Sequence, residues 1–467
     1  MFRIKMTFIS ILSLTAFGCA IGPKYVKPAT QVPAAYKESK DWKVALPQDD
    51  AIRGEWWKVF HDPRLDDLEA LVNISNQNIA VAQAQYAQAY ALVEASRSSF
   101  FPTLGATASY TRSHSSSDTK SGHSAASNAL LTADVSWELD LWGKIRRTME
   151  ANRANAQASQ SDLENARLSA QAQLAQDYFQ LCSLDSQKKI LDDTIVIYQK
   201  FLVLTKNRYA GGVAAESDVI QAQAQLEGSQ AQEIDIGVQR SQLEHAIAIL
   251  VGKPASDFSL PMLSLPAAVP SVPAGLPSQV LERRPDIASA ERKVAAANAL
   301  IGVAESAYFP TLTLSASGSD GSSDLSRIFS SPNPLWSVGP ALAQSIFDAG
   351  LRRAQTAQAK AAYEQGVATY RQTVLSAFGQ VEDNLAALRI LEQEAQIQDE
   401  ALQDARKAVA LETNQYKAGT VSALDVINTQ VNAFNDEKAA VTILGERMNA
   451  CVLLIQYLGG GWTDSGR

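Results

Sequence analysis

The chain contains the same long series of motifs twice, and this internal repeat constrains its fold more than any other feature. Phe101-Pro-Thr-Leu recurs as Phe309-Pro-Thr-Leu, 208 residues later. Tyr209-Ala-Gly-Gly recurs in the same order as Tyr416-Lys-Ala-Gly. Solenoid repeats have periods of roughly 20–50 residues, which are much shorter. The chain is therefore expected to hold two copies of one large structural unit.

Each copy contains two segments with the periodicity of a β-strand. Apolar residues occupy every second position at 104–110 and 131–141, and they alternate with Thr, Ser, Gly and acidic residues. The second copy predicts strands at 311–317 and near 336–347. Alternation of this kind suits a strand between lipid and a wet lumen. A strand of a soluble sandwich gives a similar pattern, so the alternation alone leaves both environments open.

Each copy also contains one very long helix and a shorter return helix. No helix-breaking residue occurs from 144 to 209, and the second copy predicts a rod of similar length at about 350–417. Roughly 67 residues at 1.5 Å each give a rod of about 100 Å, whereas an average globular helix has about 11–12 residues. Return helices are predicted at 216–250 and up to about residue 458.

The distal third of each rod carries a seam with the 3.5-residue spacing of a coiled coil. The predicted seam positions of the first rod are Leu191, Ile195, Tyr198, Leu202, Thr205 and Tyr209. Those of the second rod are Gln398, Leu402, Ala405, Val409, Glu412 and Tyr416. The two sets are in phase, so both rods are expected to pack side by side with other helices near their ends.

The N-terminus predicts secretion and a lipid anchor. Arg3 and Lys5 precede an apolar stretch that ends at Gly18-Cys19, which indicates a signal peptide followed by a lipidated cysteine. The alternative is an ordinary cleaved signal with an unmodified Cys19. The predicted segments are a signal peptide (1–18), a lipidated extended segment (19–63), a first repeat (64–250), a Pro-rich linker (251–278), a second repeat (279–458) and a tail (459–467).

Charge and hydropathy restrict how such a chain meets a membrane. The net charge is −8 and no basic stripe is visible, which argues against a nucleic-acid partner. Beyond the signal, no run of about 18 apolar residues occurs, so the expected route into a bilayer is a closed barrel. Small membrane barrels need at least eight strands. Four strands per chain therefore require several chains: two give a filled barrel, and three give twelve strands with a channel.

The residue types that usually form catalytic or metal-binding sites are not clustered in the sequence. The four histidines, His61, His114, His123 and His245, lack metal-ligand spacing. No nucleophile elbow, phosphate-binding loop or dinucleotide fingerprint occurs. We therefore expect no enzymatic activity, no cofactor and no metal site.

Several motifs in fixed order resemble the TolC outer-membrane efflux family, in its lipoprotein (NodT-like) branch. They are Cys19-Ala-Ile-Gly-Pro-Lys-Tyr-Val-Lys-Pro, Trp56-Trp57 with Phe60-His-Asp-Pro-Arg-Leu, Arg283-Arg-Pro-Asp-Ile and Tyr308-Phe-Pro-Thr. The resemblance implies a mainly α fold with β-strands, in which a homotrimer forms a 12-stranded outer-membrane β-barrel on a periplasmic α-helical barrel. It also implies an exit duct for small molecules, working with a periplasmic membrane-fusion adaptor and an inner-membrane pump, most often of the RND type.

The same resemblance implies a gate where the rods end. The implied gate residues are Tyr416, Asp425, Asn428 and Asp218. Some members carry Arg at the position of Val421 and a second Asp at the position of Asn428, so Arg208 or Lys417 would have to replace that arginine. The alternatives are that both aspartates cap their return helices and that Tyr416 is packed in the seam.

The turns at the rod ends are small and uncharged. The resemblance implies that an adaptor docks on Gly211, Gly212, Val213, Gly419, Thr420 and Val421. The alternative is a pair of solvent-exposed turns without a partner. Two further functions stay open: export of proteins or peptides in a type I secretion system, and a periplasmic coiled-coil lipoprotein that forms no channel. The latter has no need of the alternating strands.

Overall fold

The structure, a computed structural model, describes residues 20–33, 35–38, 54–114, 125–270, 272, 283–322 and 334–460. The predicted signal peptide, Cys19 and residues 461–467 of the predicted tail lie outside these ranges. Much of the predicted linker after residue 272 also lies outside them.

The described chain is mainly helical with four strands, which confirms the predicted fold class. Its elements are α1 (Pro63–Ser75), α2 (Gln77–Ser98), β1 (Thr103–His114), β2 (Ala125–Leu139), α3 (Lys144–Ala210), α4 (Glu216–Leu250), α5 (Pro285–Ser306), β3 (Thr311–Ser322), β4 (Pro334–Ala343), α6 (Leu351–Ala418) and α7 (Ala423–Tyr457). The rods α3 and α6 have 67 and 68 residues, and the return helices α4 and α7 have 35 each. The order helix, two strands, long helix and return helix thus occurs twice.

The chain divides into two compact units, and the first contains the sheet. It comprises the described residues within the ranges 20–29, 85–160 and 289–371. All four strands are antiparallel, in the order β1-β2-β3-β4. The hairpin of each repeat is joined to the other through β2 and β3, so β1 and β4 are the edge strands.

The strand ends differ from the sequence prediction. β3 continues to Ser322 because β2 supplies pairing partners along this length, with Ala129 opposite Ser322. β4 pairs with β3 as far as Asp320, which lies opposite Pro334. β4 ends at Ala343, so the predicted continuation to Phe347 is wrong. β2 starts at Ala125, six residues before the predicted start, because β1 pairs with it along its whole length.

Large apolar side chains project from both edge strands. On β1, Leu104 and Tyr110 are exposed. On β4, Trp336 is 78% exposed, and Val338 and Leu342 are also exposed. Soluble monomers seldom leave such a surface open to water. We therefore expect the sheet to contact an apolar environment, another chain, or both.

The second unit contains the rod ends and the aromatic motif of the N-terminal segment. Trp56 and Phe60 lie on a short 3₁₀ turn and are buried, and the ring of Phe60 is 4.7 Å from that of Phe179 on α3. The Tyr178 hydroxyl donates to the Asp62 carboxylate over 2.5 Å. Asp62 also caps α1 by accepting from the Arg64 amide. The motif thus fastens the start of the first repeat onto α3.

The described part of the Pro-rich linker is held against this second unit by one buried ion pair. The Arg240 guanidinium on α4 donates to the Asp185 carboxylate of α3 (2.8 Å) and to the Leu260 carbonyl (2.8 Å). The other oxygen of Asp185 accepts from the Leu263 amide over 2.8 Å. The linker therefore follows a defined path on the two helices as far as these contacts reach.

One helix of the described residues, α7, is long and apolar enough to cross a membrane by length and composition alone. Its apolar side chains are accounted for by packing within the second unit. Val426 and Ile427 are buried in the same cluster as Leu202 and Tyr416, and Met448, Val452 and Ile455 are buried further along. We interpret α7 as a core helix.

Candidate functional site

The two turns that follow the rods have the same backbone geometry. After α3, the Gly212 amide donates to the Tyr209 carbonyl and the Val213 amide to the Arg208 carbonyl, both over 2.9 Å. After α6, the Gly419 amide donates to the Tyr416 carbonyl and the Thr420 amide donates five residues back, both over 3.0 Å. This is the Schellman arrangement, which needs a left-handed residue.

Glycine supplies that residue in both turns, since Gly212 has φ +73° and Gly419 has φ +80°. A side chain at either position would strain the backbone. The glycines recognised in the sequence repeat are thus required by helix termination, and they set where each return helix begins.

Both predicted gate aspartates cap a return helix. The Asp425 carboxylate accepts from the Ser422 amide (3.0 Å) and the Ser422 hydroxyl (2.6 Å). The Asp218 carboxylate accepts from the Ala215 amide (3.3 Å). The capping alternative therefore holds for both residues. The capping contact does not bury Asp425, because the Asp425 side chain remains exposed.

The hydrogen bonds from Ser422 also fix the charge of Asp425. They stabilise the ionised form and lower the pKa of the Asp425 carboxyl below its usual value. Asn428, one turn further along α7, is also exposed. The start of α7 thus presents one carboxylate and one amide side chain to solvent.

Tyr416 lies in a tight contact between the ends of α3 and α6. Its side chain is only 2% exposed, and its ring centroid lies 5.3 Å from that of Phe201. The Arg208 guanidinium is 4.5 Å from the Tyr416 ring centroid and donates to the Tyr416 carbonyl over 2.8 Å. The Tyr416 hydroxyl is 3.4 Å from the Thr205 hydroxyl. We call the contact between Arg208 and Tyr416 the rod-end clamp.

The two cations considered as replacements for the missing arginine differ in their contacts. Arg208 contacts Tyr416 twice, whereas Lys417 is exposed. Val421, at the family's arginine position, packs against the apolar cluster of the rod ends. The packing alternative for Tyr416 is therefore realised in the structure, with a cation and an aromatic ring at its centre.

The predicted seam is correct for the first rod except at its last position. Leu191, Ile195, Tyr198, Leu202 and Thr205 are all buried, whereas Tyr209 is 47% exposed. The two repeats therefore differ at this point, because Tyr416 is enclosed by Phe201, Thr205 and Arg208 of the other rod. In the second rod, Gln398, Leu402, Ala405, Val409 and Glu412 are half-buried.

Sequence periodicity did not identify the partner of Tyr416. Arg208 is 208 residues away from Tyr416 in the chain, and the two meet only because α3 and α6 pack laterally. Phe201 lies between seam positions and so escaped the heptad pattern. The sequence analysis considered Arg208 as a replacement for the missing arginine, but the repeat gave no signal of its contact with Tyr416.

The predicted adaptor turns are exposed at their tips. Gly211, Gly212, Gly419 and Thr420 are exposed, and Val213 is 66% exposed. Ile220, one turn into α4, adds a second exposed apolar side chain. Val421 is half-buried. Two exposed apolar side chains are thus present at the α3–α4 turn, beside the exposed carboxylate of Glu216 at the start of α4.

Comparison with known proteins gives one consistent result. Residues 70–253 and 276–460 match the family model described as outer membrane efflux protein. The pyoverdine export outer membrane protein OpmQ of Pseudomonas aeruginosa is 33% identical over 423 residues, covering 88% of each chain. The cation efflux system protein CusC of Escherichia coli is 30% identical over 469 residues, covering 98% of this chain and 99% of CusC. The solved structure of the outer-membrane channel OprN has a TM-score of 0.87 and 29% identity, covering 95% of this chain and all of that one.

Proposed function

Because the chain belongs to the outer membrane efflux protein family, we propose that three copies form the exit duct of a tripartite efflux system in the outer membrane of a Gram-negative bacterium. The observation that carries this proposal is the four-stranded sheet with two free edges and exposed apolar side chains. Lipid does not tolerate open sheet edges. Pairing of β1 with β4 of the next copy removes every edge and gives twelve strands around a channel.

The duct takes its cargo from partners and performs no chemistry on it. A periplasmic membrane-fusion adaptor and an inner-membrane pump of the RND type would deliver small molecules to the rod ends. The relatives OpmQ and CusC bear the names of pyoverdine export and cation efflux, two unrelated kinds of cargo. This spread supports a wide duct in which the pump selects the substrate.

The gate of this duct would lie at the start of α7 and α4. Asp425 and Asn428 are exposed there, and the hydrogen bonds from Ser422 favour the ionised form of Asp425. Three symmetry-related carboxylates about 6 Å apart would repel by roughly 3 kcal/mol per pair at an effective dielectric constant near 20. Asp218 would add a second, half-buried acidic position. Such a ring attracts cations and resists closure.

The closed state would therefore need attractive contacts elsewhere, and the rod-end clamp supplies them. Arg208 ties the end of α3 to the end of α6 through the carbonyl and the ring of Tyr416. Opening a duct of this kind would require the rod ends to move apart. We assign the clamp the role of an intramolecular latch that replaces the family's arginine at Val421.

The exposed turns Gly211–Val213 and Gly419–Val421 would receive the adaptor. Small residues allow close approach of a partner's backbone, and Val213 offers one apolar contact. The α3–α4 turn would contribute more apolar contact than the α6–α7 turn, because Val421 is packed into its own chain.

Two assays test the proposed function. Purified protein in a planar bilayer is expected to pass ionic current, and a deletion strain is expected to become sensitive to dyes, antibiotics or metals. Loss of secretion of a protein or peptide, with unchanged drug and metal sensitivity, would instead indicate a type I secretion duct. Absence of current in repeated reconstitutions would contradict a channel of either kind.

A further inference from the structure

The first described residues, 20–25, are docked on the first unit as a defined strap. The Ile21 amide donates to the Trp142 carbonyl over 3.1 Å, next to the start of α3. The Arg147 guanidinium donates to the carbonyls of Ile21 (3.0 Å) and Gly22 (3.2 Å). Arg147 itself is buried. We call residues 20–25 the N-terminal strap.

Glycine is required where the strap crosses α5. Gly22 has φ +103°, and a Cβ placed there would collide with the Cα of Gly302. A Cβ at Gly302 would lie 2.7 Å from the Ile21 carbonyl oxygen. The Asn298 amide, one turn earlier on α5, donates to the Pro23 carbonyl over 3.1 Å. The Ala-Ile-Gly-Pro motif that follows Cys19 is thus explained by backbone docking.

A cavity of about 640 Å³ lies within the same unit, between α5 and the last residues of β2 and β4. This volume falls within the range of roughly 300–1,000 Å³ typical of ligand pockets. One wall contains the stacked rings of Trp142 and Phe309, whose centroids are 4.8 Å apart. The apolar lining consists mainly of Leu139, Leu141, Trp142, Leu300, Val303 and Phe309.

The charged side chains at the cavity are already paired. Lys144 contacts Glu138 over 3.0 Å, and Asp140 is bound by Arg146 over 2.9 Å. A lipid phosphate would have to displace one of these acids. An uncharged acyl chain meets no such competition, and its burial against aromatic and aliphatic walls is favourable.

The strap passes beside a residue that is flanked by two lining residues of the cavity. The Cα of Ala20 lies 2.8 Å from the position that a Cβ on Gly143 would occupy, and Gly143 separates the lining residues Trp142 and Lys144. Cys19, which lies outside the described residues, is covalently bonded to Ala20, and adjacent Cα atoms are 3.8 Å apart. Because Ala20 contacts Gly143, an acyl chain carried by Cys19 would have a high effective concentration at the cavity.

We propose that the cavity between α5 and the ends of β2 and β4 is a binding site for an acyl chain carried by Cys19. The proposal rests on the proposed outer-membrane function. The acylated strap then acts as a clasp, because its backbone is held by Trp142 and Arg147 and its acyl chain occupies the adjacent pocket. Lipidation would order the junction between the sheet and the rods, besides anchoring the protein in the membrane.

Photo-crosslinking in the intact protein tests this site. Cells are fed a palmitate analogue with a diazirine and an alkyne, and the purified, irradiated protein is digested and analysed by mass spectrometry. We expect the Cys19 lipopeptide to be crosslinked to residues 300–304 of α5 in the same chain. The variant Ala304→Leu, which fills the cavity, is expected to lower this crosslinking several-fold. Ala354→Leu, at an exposed position of α6 that does not line the cavity, is the matched control and is expected to change nothing.

Other occupants give different outcomes. A non-lipidated form, exported by a different signal peptide and carrying Cys19→Ser, is labelled only through bulk phospholipid. Crosslinks to residues 300–304 in that form would show that a free phospholipid fills the site and would overturn the proposal. Crosslinks confined to the strands, or the absence of a labelled Cys19 peptide, would also overturn it.

The same preparations are measured for ionic current, which reports the channel function separately. Conducting protein without cavity crosslinks would refute the acyl site alone. Crosslinked protein without current would refute the proposed function while leaving the acyl site standing. If Ala304→Leu does not fold, the crosslinks found in the unsubstituted protein still show whether the acyl chain of Cys19 occupies the cavity.

Discussion

The rod-end clamp makes the sharpest prediction about gating, and Arg208→Ala is the variant that isolates it. The substitution removes a charged donor from the Tyr416 carbonyl (2.8 Å) and a cation from the Tyr416 ring (4.5 Å to the centroid). Hydrogen bonds to charged groups contribute about 1.5–3 kcal/mol, and cation–π contacts about 0.5–2 kcal/mol. Arg208 is only half-buried, so values near the lower ends apply, and the clamp is worth about 2 kcal/mol.

This magnitude converts to a measurable change in gating. At about 1.4 kcal/mol per factor of ten, losing the clamp shifts the closed–open equilibrium about thirtyfold toward the open state. Single-channel recording in planar bilayers is the assay, and the open probability of Arg208→Ala is expected to rise accordingly. Tyr416→Phe keeps the ring and the carbonyl and loses only the 3.4 Å contact with Thr205, so its expected change is small.

Lys417→Ala is the matched control, because it removes one positive charge beside Tyr416 from an exposed position. An open probability in Arg208→Ala equal to that in Lys417→Ala would refute the clamp. A lower open probability in Arg208→Ala would also refute it, since the contact would then hold the open state.

Three further predictions follow from other residues. Asp425→Ala is expected to alter single-channel conductance and weaken block by multivalent cations, because it removes the exposed carboxylate at the start of α7; unchanged conductance and unchanged block would count against a gate role. Glu69 is buried without a hydrogen-bond partner among the described residues, and burial raises its pKa well above the usual value. The folded state therefore binds this proton more tightly than the unfolded state. The contribution of Glu69 to the free energy of unfolding falls as the pH rises above the unfolded pKa of about 4.3 toward the folded pKa. Glu69→Gln should therefore stabilise the protein more at pH 8 than at pH 5 in thermal unfolding, and an equal effect at both pH values would exclude this origin. Val213→Asp should lower the amount of adaptor that co-purifies and should lower the drug resistance of the strain, without changing conductance. The same substitution at exposed Val238 on α4 should change neither the co-purification nor the resistance.

The order of the strands, rods and return helices could be predicted because their signals are local. Glycines with positive φ end both rods at the predicted positions, and alternation located all four strands. Strand ends were less accurate, since β3 extends as far as β2 supplies partners. The failure at Tyr209 has a similar cause: the heptad spacing continues to the end of α3, but the packing partner of that position belongs to α6.

The candidate site could be predicted only in part. The aspartates at the starts of α4 and α7 were recognised by their repeat, and their capping was foreseen as an alternative. The pairing of Arg208 with Tyr416 and of Gly22 with Gly302 depends on contacts between segments more than 200 residues apart. No periodicity within one helix encodes such a contact, so the clamp and the strap could be identified only in the three-dimensional structure.

One chain is proposed to supply only a fraction of a closed barrel, so the mass of the particle that forms in detergent is the decisive measurement. Native mass spectrometry of the full-length protein, solubilised from outer membranes, gives the number of chains in that particle. We expect three chains, whose twelve strands leave no free edge. A single-chain species at every concentration and in every detergent would contradict it.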